Sequence, residues 1–173
     1  MAARAELQTI GALAPNGRIT AEGRRVRALP LPPRLARMVL AARSLQAAEL
    51  AAVLVERGLG GNDTDLEYRL TSFRRDRSRR AEDMRRLATV WAKMAGALPS
   101  SSDDSIAALL ALAYPDRIAK ARGAPGQFLL ANGRGAYVDH SDGLAKSPFL
   151  IVAELQGTAA HTRILSAART SEV

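Results

Sequence analysis

Three prolines in four positions, Pro30, Pro32 and Pro33, prevent any one helix from running through the first forty residues of this 173-residue chain. A residue before proline is pushed towards extended geometry, so Leu29-Pro30-Leu31-Pro32 must be a rigid elbow. Pro33 can open a helix, because the first helical position has no need of an amide hydrogen. That helix is predicted to run to about Ser44, with Leu35, Met38, Val39 and Ala42 inward and Arg34, Arg37 and Arg43 more exposed. Upstream, residues 3–13 predict a helix with Leu7, Ile10 and Leu13 on one stripe. Pro15 stops it, Asn16-Gly17 makes a tight turn, and Arg18-Ile19 is a short extended piece. Thr20 then caps a short helix over residues 21–28.

A further helix is expected over residues 46–57, with Leu50, Val53 and Leu54 buried. Gly58-Leu59-Gly60-Gly61-Asn62 ends it. No Gly-Lys-Ser/Thr follows, so these glycines are a helix C-cap and link rather than a phosphate loop. Thr64 and Glu67 have capping-box spacing and start a helix that buries Leu66, Leu70 and Phe73. Residues 74–86 hold seven arginines against Asp76, Glu82 and Asp83. They read as one long helix or as two broken near Ser78, with an Asp76–Arg80 ion pair at i, i+4. Met84, Leu87, Trp91, Met94 and Leu98 continue at helical spacing, which places Trp91 in the core. Pro99 and Ser100 to Ser102 form a break, and Asp103 and Asp104 suit the start of an apolar helix over 106–113. Tyr114-Pro115 closes it, and residues 116–122 read as a short basic turn of helix.

Beyond Gly123 the pattern changes. Residues 128–130, 136–138, 149–155 and 162–166 predict strands. Asn132-Gly133-Arg134-Gly135 is a hairpin turn between the first two. The expected fold is mainly α, followed by a small antiparallel β unit.

The formal net charge is +8, and lysine appears only at Lys93, Lys120 and Lys146, so arginine carries the excess. A GC-rich genome explains the Arg-to-Lys ratio but accounts less well for the excess over acids, which suits an anionic partner such as nucleic acid. The chain contains no cysteine, which excludes disulfides, thiolate metal sites and a cysteine nucleophile. No apolar run approaches the roughly 18 residues of a membrane span, and residues 1–13 lack the apolar core of a signal peptide. His140 and His161 have no second ligand at metal spacing. Ser100 to Ser102 have no histidine near them in sequence, so a hydrolase triad is unsupported. Without a Walker A sequence or an Asp-Glu-x-His run, this polypeptide alone should not hydrolyse ATP. No catalytic, cofactor or metal residue is therefore assigned.

The stretch Gly11-Ala12-Leu13, Gly17, Ile19-Thr20, Gly23-Arg24, Leu29-Pro30-Leu31 and Pro33-Arg34-Leu35-Ala36-Arg37-Met38 resembles the accessory region after the motor domains of DEAH-box ATP-dependent helicases. Val26, Arg27 and Pro32 depart from the family pattern. Two later blocks narrow the resemblance to the bacterial HrpB type. One is Asp65-Leu66 with Arg69-Leu70 leading to Trp91, and the other is Ala113-Tyr114-Pro115-Asp116-Arg117-Ile118-Ala119 followed in order by Phe128 to Ala136 and Pro148 to Leu155.

The resemblance implies three parts: residues 1–40 as the latter part of a winged-helix domain, 41–112 as a ratchet-like helical bundle, and 113–173 as the start of an OB-like β-barrel that needs further strand after Val173. It also implies a cytoplasmic accessory module that guides single-stranded RNA past motor domains which lie outside this chain and which bind ATP and Mg. On that view phosphates meet Arg74, Arg75, Arg77, Arg79, Arg80, Arg85 and Arg86, and also Arg117, Lys120, Arg122 and Arg134. Phe128 and Tyr137 are candidates for base stacking, though each reads first as barrel core. In the alternative reading the basic face packs on the parent motor and binds no nucleic acid. A free-standing winged-helix regulator is disfavoured, because residues 21–28 are too short for a recognition helix.

Overall fold

The structure, a computed structural model, describes residues 2–98 and 104–171. Pro99, the serine linker and Asp103 lie outside the described residues. Helix α1 (Ala2–Thr9) ends sooner than its apolar stripe suggests. Gly11 takes φ +72°, and Leu13 pairs with Ile19 across the Asn16-Gly17 turn. Thr20 caps α2 (Ala21–Ala28), its hydroxyl accepting from the Gly23 amide at 2.9 Å and donating to the Gly11 carbonyl at 2.7 Å. Gly23 is fixed by space, since a Cβ there would lie 2.1 Å from the Ala12 carbonyl oxygen. The proline elbow follows, and Pro33 opens α3 (Pro33–Ala42) as the sequence requires.

Arg43 ends α3 in the left-handed region at φ 48°, so Ser44 serves as the N-cap of α4 (Leu45–Val55) and does not end the helix before it. The basic segment divides at Ser78, which caps α6 (Arg79–Met94) after α5 (Leu66–Arg75) has ended. Two local expectations are corrected. Asp65, not Thr64, caps α5 by accepting from the Glu67 amide at 3.0 Å, while the Thr64 carbonyl accepts from the Ala167 amide. Asp76 accepts from the Ser78 amide at 2.8 Å, and Arg80 pairs with Glu56 at the C-cap of α4 instead of with Asp76. Leu50, Met38, Val39, Leu66, Phe73 and Trp91 share one core, with α4 packed on α6.

Helix α7 (Ile106–Ala113) consists entirely of Ala, Leu and Ile. It lies between α3 on one side and two strands on the other, so the bundle core continues into Ile151, Ala153 and Ala168. The strands are β1 (Ile118–Ala121), β2 (Gln127–Leu130), β3 (Gly135–Tyr137), β4 (Phe149–Thr158) and β5 (His161–Thr170). They close as β1-β2-β3-β5-β4, with β4 returning to β1 and β3 parallel to β5. This is a small OB-like barrel. Residues 118–121 are therefore strand rather than the expected helical turn, because β2 and β4 satisfy their backbone from both sides. They supply the fifth strand, so the barrel closes without anything beyond Val173. Phe128, Leu130, Ala136, Leu150, Val152 and Ile164 fill its interior.

Arg34 joins these parts and corrects its sequence reading, because it is buried. Its Nε donates to Glu6 of α1 at 2.6 Å, and its Nη1 and Nη2 donate to the two Asp116 oxygens at 2.7 and 3.2 Å. Nη1 also reaches the Ala113 carbonyl at 3.0 Å, and Arg37 donates to the Leu112 carbonyl. Two guanidinium groups thus satisfy the unpaired carbonyls at the negative end of α7. Arg34 and Arg117 both lie over the Tyr114 ring, 5.4 and 4.8 Å from its centroid, and Arg117 donates to the Ala153 carbonyl of β4 at 2.6 Å. Burial pushes the Asp116 carboxyl up, but the Arg34 hydrogen bonds and charge outweigh it and hold the group below the ordinary carboxylate value.

Arg34→Met should destabilise the chain by about 2–3 kcal/mol in urea unfolding, since it leaves two acids without their cation and the Ala113 carbonyl uncapped. Because the native Asp116 value is depressed, its contribution is complete above the unfolded carboxylate value of about 3.9 and fades as pH falls through the lower native one. Asp116→Asn should therefore show a flatter loss of stability below about pH 4, measured by thermal unfolding across a pH series.

Candidate nucleic-acid interface

The α5–α6 corner separates the predicted arginines into two groups. Arg74 donates to Glu49 of α4, a largely buried acid, at 2.7 Å through Nε. Arg80 holds Glu56 at 2.6 Å and also reaches the Arg57 carbonyl. Arg85 lies over the Phe73 ring at 5.5 Å and donates to the Phe73 carbonyl at 2.7 Å, which closes the C-terminus of α5. Arg86 makes an exposed pair with Asp83 one turn before it, at 3.0 Å. The helix break places Arg75 at the end of α5, Arg77 in the link and Arg79 at the start of α6. All three are exposed, and none has an ion-pair or hydrogen-bond partner for its side chain among the described residues. Arg79 also stands at the positive end of the α6 dipole, where an anion rather than a cation is favoured.

The barrel shows the same division. Arg117 is half-buried between Tyr114 and β4. Lys120 points outward from β1, opposite Leu129 and Phe149, and its side chain has no partner among the described residues. Arg122 follows β1, with its amide on the Gln127 carbonyl, and Arg134 sits in the β2–β3 turn with its amide on Asn132 Oδ1. Both side chains are exposed and unpaired among the described residues. Phe128 is barrel core, as expected, but Tyr137 is not. Its neighbour Ala136 faces inward opposite Phe128, which turns Tyr137 to the outer surface.

Sequence reasoning did not select His161 or Arg163 for this face. They alternate with the inward residues Thr162 and Ile164 on β5, a two-residue period that was legible, but only register puts Arg163 opposite Tyr137. Arg69 also has a structural place: it is buried and donates to the Val53 and Leu59 carbonyls, closing α4 and the glycine link. Asp139 is held below the ordinary carboxylate value by hydrogen bonds from Ser141, with the nearby His140 contributing. Among the described residues, no group of three or more potential ligands could hold a metal ion. No helix there is long and apolar enough to cross a membrane.

The division predicts opposite behaviour within one arginine-rich segment. Arg85→Ala should cost about 1–2 kcal/mol in urea unfolding, for its lost carbonyl cap and ring contact. Arg75→Ala, Arg77→Ala and Arg79→Ala should each stay within about 0.5 kcal/mol of the parent.

No family model matches the chain. Over 173 aligned positions it is 38% identical to the ATP-dependent RNA helicase HrpB of Escherichia coli (strain K12), a match that takes in 96% of this chain and 20% of that protein. A crystal structure of the E. coli DExH-box NTPase HrpB superposes with a TM-score of 0.81 at 35% identity, covering 98% of this chain and 21% of that one. A crystal structure of the E. coli DEAH/RHA helicase HrpB gives 0.80 at 34%, with the same coverage. The chain spans about a fifth of the length of the relatives it matches. In sequence and in fold alike, it corresponds to the C-terminal region of HrpB-type helicases, the family its motifs resemble.

Proposed function

We propose that this chain is the nucleic-acid-binding accessory region of an ATP-dependent RNA helicase, guiding single-stranded RNA past motor domains carried elsewhere. Its correspondence to HrpB carries the reading. The unpaired cations supply the physical means: Arg75, Arg77 and Arg79 at the helix corner, and Lys120, Arg122 and Arg134 on the barrel. Exposed guanidinium and ammonium groups without internal partners can neutralise phosphates at little cost to the fold. Arg74, Arg80, Arg85 and Arg117 are already committed inside the molecule and serve as support. ATP and Mg belong to the motor, the compartment is the cytoplasm, and the motor domains are the protein partner.

A second reading rests on the outer face of α6. Leu87, Val90 and Met94 form an exposed stripe, extended by Leu98, which is 65% exposed. Such a stripe suits a protein partner, and on this reading the module packs on the motor and binds no RNA itself.

Fluorescence anisotropy with a short single-stranded RNA separates the two readings. The RNA-binding reading expects affinity to fall steeply with salt, and a triple Arg75→Ser, Arg77→Ser, Arg79→Ser variant to shallow the log–log slope by about 2. Failure of the folded chain to bind would favour the packing reading, and binding without salt dependence would count against phosphate contacts by these cations.

A further inference from the structure

The outer surface of the barrel carries a feature that the positive charge does not explain. The Tyr137 and His161 rings meet there, with centroids 4.4 Å apart and planes tilted by 36°. The two residues come from different strands, β3 and the start of β5, and both stand on the outward phase of their strands. A tyrosine turned out of a small barrel gains nothing from the interior. Its half-exposed ring lies against a second exposed ring, so the pair, which includes one of the chain's seven Phe, Trp and Tyr residues, presents a planar surface to an outside group.

The surroundings indicate what would cover it. Register places Gln127 and Arg163 on either side of Tyr137, with Gln156 beyond Arg163. The next row on the same face holds Lys120, Leu129 and Gly135. A Cβ on Gly135 would meet nothing within 4 Å, so the surface beside the ring pair is open. Lys120 and Arg122 have no side-chain partner among the described residues, and Arg163 has none at hydrogen-bond or ion-pair distance. The acid that interacts with Arg163 is Asp139, whose carboxylate is already bonded to the Ser141 amide and hydroxyl. A planar apolar platform, amide side chains and unpaired cations on one strand surface are the elements of a site for a single nucleotide. The ring stacks on the base, the amides reach its edge and the cations reach the flanking phosphates.

We propose that Tyr137 and His161 form a base-stacking platform, flanked by Arg163 and Gln127, that holds one unpaired nucleotide of a single strand against the outer face of β3 and β5. This rests on the nucleic-acid-binding reading above and assigns it a site that the arginine corner does not provide. A base held by its π-face is retained whatever its identity, so the platform grips the strand without reading sequence.

The test uses the whole chain, a short single-stranded RNA and the same RNA with abasic positions, with affinity read by anisotropy over a salt series. Tyr137→Leu should weaken binding to intact RNA roughly tenfold while leaving the salt slope unchanged, because stacking releases no counterions. Tyr137→Phe should keep most of the affinity, and His161→Ala should give a partial loss. Abasic RNA should bind the parent chain no better than intact RNA binds Tyr137→Leu. Should Tyr137→Leu fail to fold, Gly135→Leu fills the open surface beside the platform and should reproduce the loss. If Tyr137→Leu or Gly135→Leu binds like the parent, and abasic RNA does too, the platform is overturned while the arginine-corner reading stands. If no RNA binds the folded parent chain, both fall.

Discussion

Helix α7 is the constraint on which the rest of the molecule depends. It has eight apolar residues and no polar face, so it can exist only between two other layers. α3 forms one layer, and the outer surface of β4 and β5 forms the other. That sandwich leaves the last carbonyls of α7 buried or partly buried, where a lost partner is expensive. Arg34 and Arg37, three residues apart on α3, supply the donors. The Pro30 to Pro33 elbow sets where α3 begins and hence where those two guanidinium groups point. The Tyr114-Pro115-Asp116-Arg117 block then leads directly from the capped end of α7 into β1, held by Arg34 through Asp116 and the Tyr114 ring.

This gives the arginine content a second meaning. Read as a sequence, the arginines form one electrostatic population directed at an anionic partner. In the fold several end on backbone carbonyls: Arg34 and Arg37 on α7, Arg69 on α4, Arg80 on Arg57, Arg85 on α5 and Arg117 on β4. A guanidinium suits this work because it stays charged when partly buried and its fork can hold a carbonyl and a carboxylate together, as Arg34 does. The cations left for an outside partner are fewer, and they sit where helices break or strands turn outward.

Local signals predicted the local structure well. Proline at Pro33, the Thr20 cap, the break at Ser78, the Asn132-Gly133 hairpin and the apolar run over 106–113 all appear where their chemistry demands. The misreadings share one cause, because each depended on a partner far away in sequence. Arg34 looked exposed on its own helix, and its burial comes from Asp116, 82 residues later. Residues 118–121, Ile-Ala-Lys-Ala, hold one β-branched residue among helix-favouring ones, and become a strand only because β2 and β4 flank them. Thr64 matched a capping box, but its carbonyl is drawn to β5 and Asp65 takes the cap. For the candidate interface, composition was legible but direction was not. Nothing local separates Arg75 from Arg74, or shows that Tyr137 faces out while Phe128 faces in.

Under this account the module is a rigid bracket. The bundle and the barrel are held at one angle by α7 and its arginine caps, and the unpaired cations and the ring pair are carried at fixed places on that bracket. Native-state hydrogen exchange on Arg34→Met tests the bracket most directly. The amides of the last turn of α7 and of β1 should lose protection selectively, while those of α4 and α6 keep theirs relative to global unfolding. Equal loss across α4, α6, α7 and β1, or no loss at the end of α7, would contradict it and show that apolar packing alone holds the two layers together.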